Sequence, residues 1–214
     1  MTGSAYRQGI IVFTRFPVPG ITKTRLIPAL GPEGACRLHR ALTERIVDRV
    51  QQLKKSYPLT IEIHFSGGNR EQMAGWLGRD YEYVIQQVGD IGARMRLAFE
   101  KGFRQGWRRV VLIGSDLPDL TPAIIRESFE RLTDHDLVLG PARDGGYYLI
   151  GLDAYRPELF NYSIAWGTRE VLKNTLLTAD QLGLKTALLI RLSDVDRPED
   201  LTEKFRSDFG FIAP

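Results

Sequence analysis

The sequence predicts an α/β fold, a mostly parallel sheet with helices on both faces and one antiparallel strand. Two observations carry this. Short apolar runs alternate with amphipathic stretches almost throughout the 214 residues, the pattern of strands joined by crossover helices. The runs 136–142 and 145–152 are too close for a parallel crossover, so one strand there runs antiparallel.

The elements follow in order. GIIVF (9–13) is a buried strand leading into the proline-bearing loop TRFPVPG. A helix covers 32–55, with Pro32 at its first position and Ala35, Leu38, Leu42, Ile46, Val50 and Leu53 on one face. LTIEIHF (59–65) alternates and ends at the turn SGGN, a strand. A short helix over 70–77, a strand over 81–87 and a helix over 91–105 come next. RVVLIGSD (109–116) is a strand ending in a polar turn. Thr121 caps the following helix and Pro122 opens it. Strands over 136–142 and 145–152 precede a helix from a Thr168 cap to about Leu182. A strand over 185–192 and a last helix, PEDLTEKF from Pro198, close the chain.

Composition limits the function classes. The chain is 43% hydrophobic and 26% charged, which excludes a disordered or collagen-like chain. No linker or repeat interrupts it, so residues 1–214 read as a single domain. The basic set is 22 Arg and 7 Lys, with a net charge of +3. Arginine suits bidentate contact with phosphate or carboxylate, and an excess of three is too small to indicate nucleic acid. The lone Cys36 excludes an internal disulfide and fits a reducing compartment. No apolar run has the length of a membrane span, and the N-terminus lacks a signal-peptide core. A soluble, cytoplasmic protein is expected.

Ligands of open α/β sheets sit at the carboxyl ends of the strands, and four polar clusters fall there. In TRFPVPGITKTRL (14–26), Gly20 opens the loop. Arg15, Lys23 and Arg25 supply charge for the phosphates of a nucleotide, the latter two on one side if the chain is extended; a solvated basic loop explains the same residues. The glycine before the lysine of a Walker A loop is missing. In GSDLPDL (114–120), Asp116 is placed to ligate Mg²⁺ or Mn²⁺, with Asp119 either a second ligand or turn chemistry ahead of the Thr121 cap. In GPARDGGYY (140–148), Asp144 can meet a hydroxyl-rich substrate or act as a base, and Gly145 and Gly146 let backbone approach a ligand. A tight turn explains the same residues. In SDVDRPEDL (193–201), Asp194 and Asp196 can complete a metal site or simply cap a helix. His64 and His135 stand alone in sequence, and Cys36 with His39 lacks a third group for zinc. Trp76, Trp107 and Trp166 read as packing.

The blocks FTRFPVPGITKTRLIPALGPEGACRL, GDIGARMRLAF, VVLIGSDLPDLTPAII, LVLGPARDGGYYLIGL, AWGTREVL and DVDRPEDL resemble the bacterial DUF2064 family. That family is also described as GT-A family glycosyltransferases, within the nucleotide-diphospho-sugar transferase superfamily. Its distant relatives include 2-phospho-lactate and molybdenum-cofactor guanylyltransferases. The resemblance covers roughly residues 9–205 and implies a GT-A, Rossmann-like three-layer fold. It implies that Lys23 and Arg25 face phosphates, that Asp116 binds metal, and that Asp196 completes the metal site. It also implies that Asp144, Gly145 and Gly146 line the acceptor side. Gly114-Ser115-Asp116 stands where glycosyltransferases carry Asp-x-Asp, and the first loop has one glycine rather than the glycine-rich loop of nucleotidyltransferases.

Three functions follow as expectations: a metal-dependent glycosyltransferase with a nucleotide-sugar donor and an unknown small-molecule acceptor, a nucleotidyltransferase releasing pyrophosphate, and a nucleotide-binding protein without turnover. Removing Lys23 and Arg25 is expected to leave the fold intact. Asp116→Asn is expected to leave the apoprotein's stability unchanged or slightly raised.

Overall fold

A computed structural model describes residues 8–161 and 164–202 of the chain. Seven strands form one sheet: β1 (Gln8–Arg15), β2 (Thr60–Ser66), β3 (Glu82–Ile85), β4 (Arg109–Gly114), β5 (Leu137–Pro141), β6 (Tyr147–Leu152) and β7 (Thr186–Leu188). Their order is β3-β2-β1-β4-β6-β5-β7. All neighbours pair parallel except β6, which runs antiparallel to both β4 and β5. The short connection between β5 and β6 predicts that reversal, and it places the DGG turn at one end of the sheet.

Helices α1 (Ile27–Lys54), α2 (Arg70–Leu77) and α4 (Pro122–Arg131) cover one face. Ile46 and Val50 of α1 and Ile125 and Phe129 of α4 pack on Ile10, Val12 and Ile113, while Met73 of α2 packs on Ile63 and Phe65. Helices α3 (Ile91–Arg104) and α5 (Val171–Gln181) cover the other face. There Met95, Phe99 and Ala179 meet Ile11, Leu112 and Ile150. Alternating residues of β1 thus feed two cores, as a strand covered on both faces must. Gly9 of β1 makes room for Trp107, whose ring lies where a side chain at position 9 would stand.

Several expectations need correction. The long helix does open at Pro32, but a short turn over 27–30 precedes it, separated by Gly31 at φ 69°, ψ 168°. That turn packs through Ile27, Ala29 and Leu30 on the cluster of Leu26, Leu38, Leu42 and Val195, a tertiary contact with no local signature. Thr168 does not cap α5, whose first position follows Glu170. The Thr168 hydroxyl instead donates to the Ala165 carbonyl and accepts from the Glu170 amide. The strand expected over 185–192 keeps regular register with β5 only over Thr186–Leu188, followed by the Leu189 amide on the Leu139 carbonyl and one further bridge between Ala142 and Leu192. Between them the Ile190 carbonyl accepts from the Tyr148 hydroxyl. The final helix is a 3-10 turn over Pro198–Asp200, and its expected continuation beyond residue 202 lies outside the described residues.

The polar side of β2 is not solvent-facing. Glu62 and His64 are 2% and 3% exposed because α3 covers them. His64 Nε2 lies 2.8 Å from Glu62 Oε2, and Lys101 of α3 donates to Glu62 Oε1 at 2.5 Å. Among the described residues, no helix is long and apolar enough to cross a membrane.

Candidate functional site

The carboxyl ends of β1, β2 and β4 and the loop after β1 enclose a cleft of about 480 Å³. The loop closes on itself: the Thr22 amide donates to the Val18 carbonyl, and the Val18 amide donates to the Thr22 hydroxyl, both at 3.0 Å. Gly20 turns this loop at φ 79° but does not line the cleft, so its part there is conformational. Arg15, at the end of β1, lines the cleft and donates weakly to the Ile21 carbonyl.

Lys23 and Arg25 do not project from an extended chain. Lys23 is left-handed at φ 52°, and residues 24–26 form a 3-10 turn. The two side chains diverge in exposure, 4% for Lys23 against 65% for Arg25, yet both end on Asp196. Arg25 Nη1 lies 2.5 Å from Asp196 Oδ2 and Lys23 Nζ 3.7 Å from Asp196 Oδ1. Lys23 Nζ also lies 2.9 Å from Asp116 Oδ2 and donates to the Val195 carbonyl. The premise that both side chains lie outside the packed interior holds for Arg25 but not for Lys23, whose ammonium joins the loop, the end of β4 and the segment after Leu192.

Asp116 follows β4 and is held by the Val195 amide, which donates to its backbone carbonyl at 3.1 Å. Burial would raise its carboxyl pKa, but the Lys23 ammonium and then His39 outweigh burial and hold it at about 2. His39 of α1 stands with Nδ1 3.7 Å from Asp116 Oδ1, and its Nε2 is 2.8 Å from the Arg15 carbonyl. Asp116 Oδ1 is buried with no hydrogen-bond partner. A carboxylate with one oxygen free of hydrogen bonds, sharing the Lys23 ammonium with a second carboxylate, is a hard oxygen donor set that fits Mg²⁺ or Mn²⁺. Among the described residues no three His, Cys, Asp or Glu converge as a metal cage. Such a site therefore suits an ion that takes its remaining ligands from phosphates and water.

A second pocket, of about 570 Å³, adjoins the first and shares Arg25, Ile91 and Asp196 with it. Asp144, Gly146, Arg143, Arg169, Asp194 and Trp166 are among its walls. The DGG segment here is a turn with a tight fit. Asp144 Oδ1 accepts from the Gly146 amide at 2.9 Å. Gly145 has φ 94°, and a Cβ there would lie 2.2 Å from the Arg169 carbonyl. Gly145→Ala should therefore cost about 2 kcal/mol through strain and the displaced start of α5. Thermal melts read this, with Gly146→Ala as the milder comparison. Burial and the neighbouring Asp144 raise the Asp194 carboxyl, whose side chain lines only this pocket. Asp119 lines neither pocket.

Sequence reasoning assigned no role to His39, Gln86, Arg94, Arg143 or Arg169. Gln86 is pinned, its amide donating to the His64 carbonyl at 2.9 Å. Arg94 leans on the Gly89 carbonyl and Gln86 and lines the β2–β3 end of the cleft. One usable signal existed, a basic residue in the first turn of a helix that begins beside strand ends, within the block GDIGARM. His39 offered none, because its partner comes from a distant strand.

A family model described as uncharacterized protein conserved in bacteria (DUF2064) matches residues 49–168. The chain belongs to the DUF2064 family. It is 32% identical to a Desulfovibrio desulfuricans G20 protein assigned to the nucleotide-diphospho-sugar transferases, whose crystal structure matches with a TM-score of 0.82 over 95% of this chain and 93% of that one. It is 23% identical over 168 residues to a phosphoenolpyruvate guanylyltransferase of Chloroflexus aggregans, covering 78% of this chain and 81% of the relative. At 14% identity, the glucosyl-3-phosphoglycerate synthase of Mycobacterium tuberculosis, solved with Mn²⁺, UDP and glucosyl-3-phosphoglycerate, shares the fold. Its TM-score is 0.59, covering 92% of this DUF2064 chain and 74% of the synthase. The fold is thus the GT-A-like α/β fold of nucleotide-sugar transferases.

Proposed function

We propose that this DUF2064 protein is a transferase acting on a nucleotide-sugar donor and passing the sugar to a small-molecule acceptor. The observation that carries the reading is the junction of two pockets at Arg25, Ile91 and Asp196. Group transfer needs two ligands whose reacting atoms meet, and their joint placement supplies much of the rate. The nucleoside end of the donor would lie toward Gln86 and Arg94, and its diphosphate toward Arg15, Lys23 and Arg25. Asp116 and Asp196 would hold a divalent ion. When bound, Mg²⁺ or Mn²⁺ supplies positive charge to the departing diphosphate. Arg25 bridges both pockets and would stabilise the same charge from the acceptor side. Asp144 keeps Oδ2 available to take a proton from an acceptor hydroxyl, since Oδ1 is bound to the Gly146 amide.

The guanylyltransferase relative supports a second reading, nucleotidyl transfer to a phosphorylated acceptor. Arg143 and Arg169 in the second pocket would then meet the acceptor's phosphate. Incubation with nucleotide sugars and with nucleoside triphosphates, each with Mn²⁺ and an acceptor library, separates the readings. Nucleoside diphosphate release is expected from a nucleotide sugar. Pyrophosphate release from a triphosphate would replace the first reading by the second, and binding without either product would leave a nucleotide-binding protein. Under either chemistry, Arg143→Ala with Arg169→Ala should raise the KM for an anionic acceptor by about tenfold or more while leaving donor affinity unchanged. Unaltered acceptor KM would remove those arginines from the site.

A further inference from the structure

We infer that Lys23 is a tethered cation occupying the space between Asp116 and Asp196, so that its ammonium and a divalent ion exclude each other there. The inference rests on the metal reading above and concerns what this chain does before donor arrives.

The Lys23 ammonium is the group on which the two carboxylates converge, 2.9 Å from Asp116 and 3.7 Å from Asp196. The side chain is 4% exposed. A backbone carbonyl, Val195, fixes it from a third direction. Val195 also donates its amide to the Asp116 carbonyl, so the same residue ties the Lys23 ammonium and the Asp116 backbone together. Lys23 is the one non-glycine residue with positive φ among those described. Left-handed backbone at a long side chain is retained only where surrounding contacts enforce it. Here the contacts include the Leu26 amide on the Lys23 carbonyl and the ammonium's own bonds to Asp116 and the Val195 carbonyl.

The arrangement leaves one ligand unsatisfied. Lys23 neutralises Asp116 Oδ2, while Asp116 Oδ1 stays buried without a hydrogen-bond partner. A dication has the charge and the coordination number to take both oxygens and Asp196. It cannot do so with an ammonium held at the same oxygens, because like charges at that separation repel strongly. Lysine's flexible four-carbon stem lets the ammonium leave, and the cleft it lines is where the donor's phosphates would give it new partners. Metal alone must displace Lys23 without compensation. Metal with a nucleoside diphosphate displaces it onto phosphate. The lysine thereby couples metal binding to donor binding.

Two measurements on the full chain test this. The first is Mn²⁺ binding without nucleotide, read from loss of the free-ion electron paramagnetic resonance signal. Lys23→Met should bind Mn²⁺ at least tenfold more tightly than the wild type, and Lys23→Arg should stay as weak as the wild type. The second uses the wild type alone, so it does not depend on a variant folding. Brief acetic anhydride labelling, read by mass spectrometry, should modify Lys23 several-fold faster with Mn²⁺ and GDP or UDP than without them. Equal Mn²⁺ affinity of Lys23→Met and wild type, or unchanged labelling, overturns the exclusion. If Asp116→Asn still loses Mn²⁺ that the wild type retains in the presence of GDP or UDP, the metal reading survives that failure. If no variant and no nucleotide brings Mn²⁺ to the protein, the metal reading and the inference fall together.

Discussion

Glu62→Gln is expected to lower stability by about 3 kcal/mol, the toll for removing one partner of a buried charge pair. Glu62 is 2% exposed and bridges His64 and Lys101 at 2.8 and 2.5 Å. The amide leaves the Lys101 ammonium without its counter-charge beneath α3. Lys101 itself is 32% exposed and can turn partly to water, which places the effect at the low end of such changes. A chain of this size should then melt roughly 6–12 °C lower. Adding Lys101→Met should recover part of the loss, and the double-mutant cycle isolates the pair. The pH dependence follows the direction of the Glu62 shift. Burial opposes ionisation, but His64 and Lys101 outweigh burial and hold the carboxyl below its usual value. Its contribution is full above the unfolded carboxylate range and is lost as pH falls through the lower folded value. Glu62→Gln should therefore flatten the acid limb of the stability profile. A wild-type profile unchanged by the substitution between pH 5 and 3 would assign the pair no net role.

Why this trio escaped sequence reasoning shows where such reading stops. Alternation in LTIEIHF identifies a strand, and the structure has one there. Alternation places Glu62 and His64 on one face of that strand, but α3 packs across it, and period alone cannot say what covers a face. The reversal at β6 was legible because chain length forbids a crossover between 136–142 and 145–152, a local constraint. Pro32, Pro122 and Thr121 marked helix starts because capping chemistry is local too. The candidate site divides in the same way. Arg15, Lys23, Arg25, Asp116 and Asp196 could be singled out as polar residues at strand ends, and all five line one cleft. What they do to one another was not legible. The Lys23 contact with Asp116 and the Val195 carbonyl joins three segments, and the left-handed backbone of Lys23, which directs it inward, has no marker such as a glycine. Gly145 was legible as a turn residue, but its need to admit the Arg169 carbonyl comes from the docking of α5.

Asp116→Asn is expected to reduce transfer by about a thousandfold, on the scale of losing one preorganised electrostatic group at a reacting centre. The sequence suggested that the substitution would relieve repulsion and leave the apoprotein unchanged or slightly more stable. The structure reverses that sign, because the nearest charge is the Lys23 ammonium at 2.9 Å. With a carboxyl held at about 2 against an ordinary 3.8, its ionised form stabilises the fold. The side chain is 39% exposed, so screening cuts the contribution to about 1 kcal/mol. That contribution is present above about pH 4 and is lost as pH falls toward 2, so wild type and Asp116→Asn should converge in stability at acid pH. Loss of transfer and loss of stability are then separable by size. The functional loss should come with loss of coupling: nucleotide and Mn²⁺ together should stabilise the wild type more than the sum of each alone. A nucleotide at about a hundred times its Kd should add about 2.7 kcal/mol. In Asp116→Asn the cooperative part should vanish, while nucleotide still binds through Arg15, Arg25 and Lys23. Calorimetric titrations of both proteins, with Mn²⁺ and with chelator, read each quantity. Equal nucleotide affinity of the wild type in Mn²⁺ and in chelator would remove the metal role from Asp116 and leave the phosphate charge to the three basic side chains.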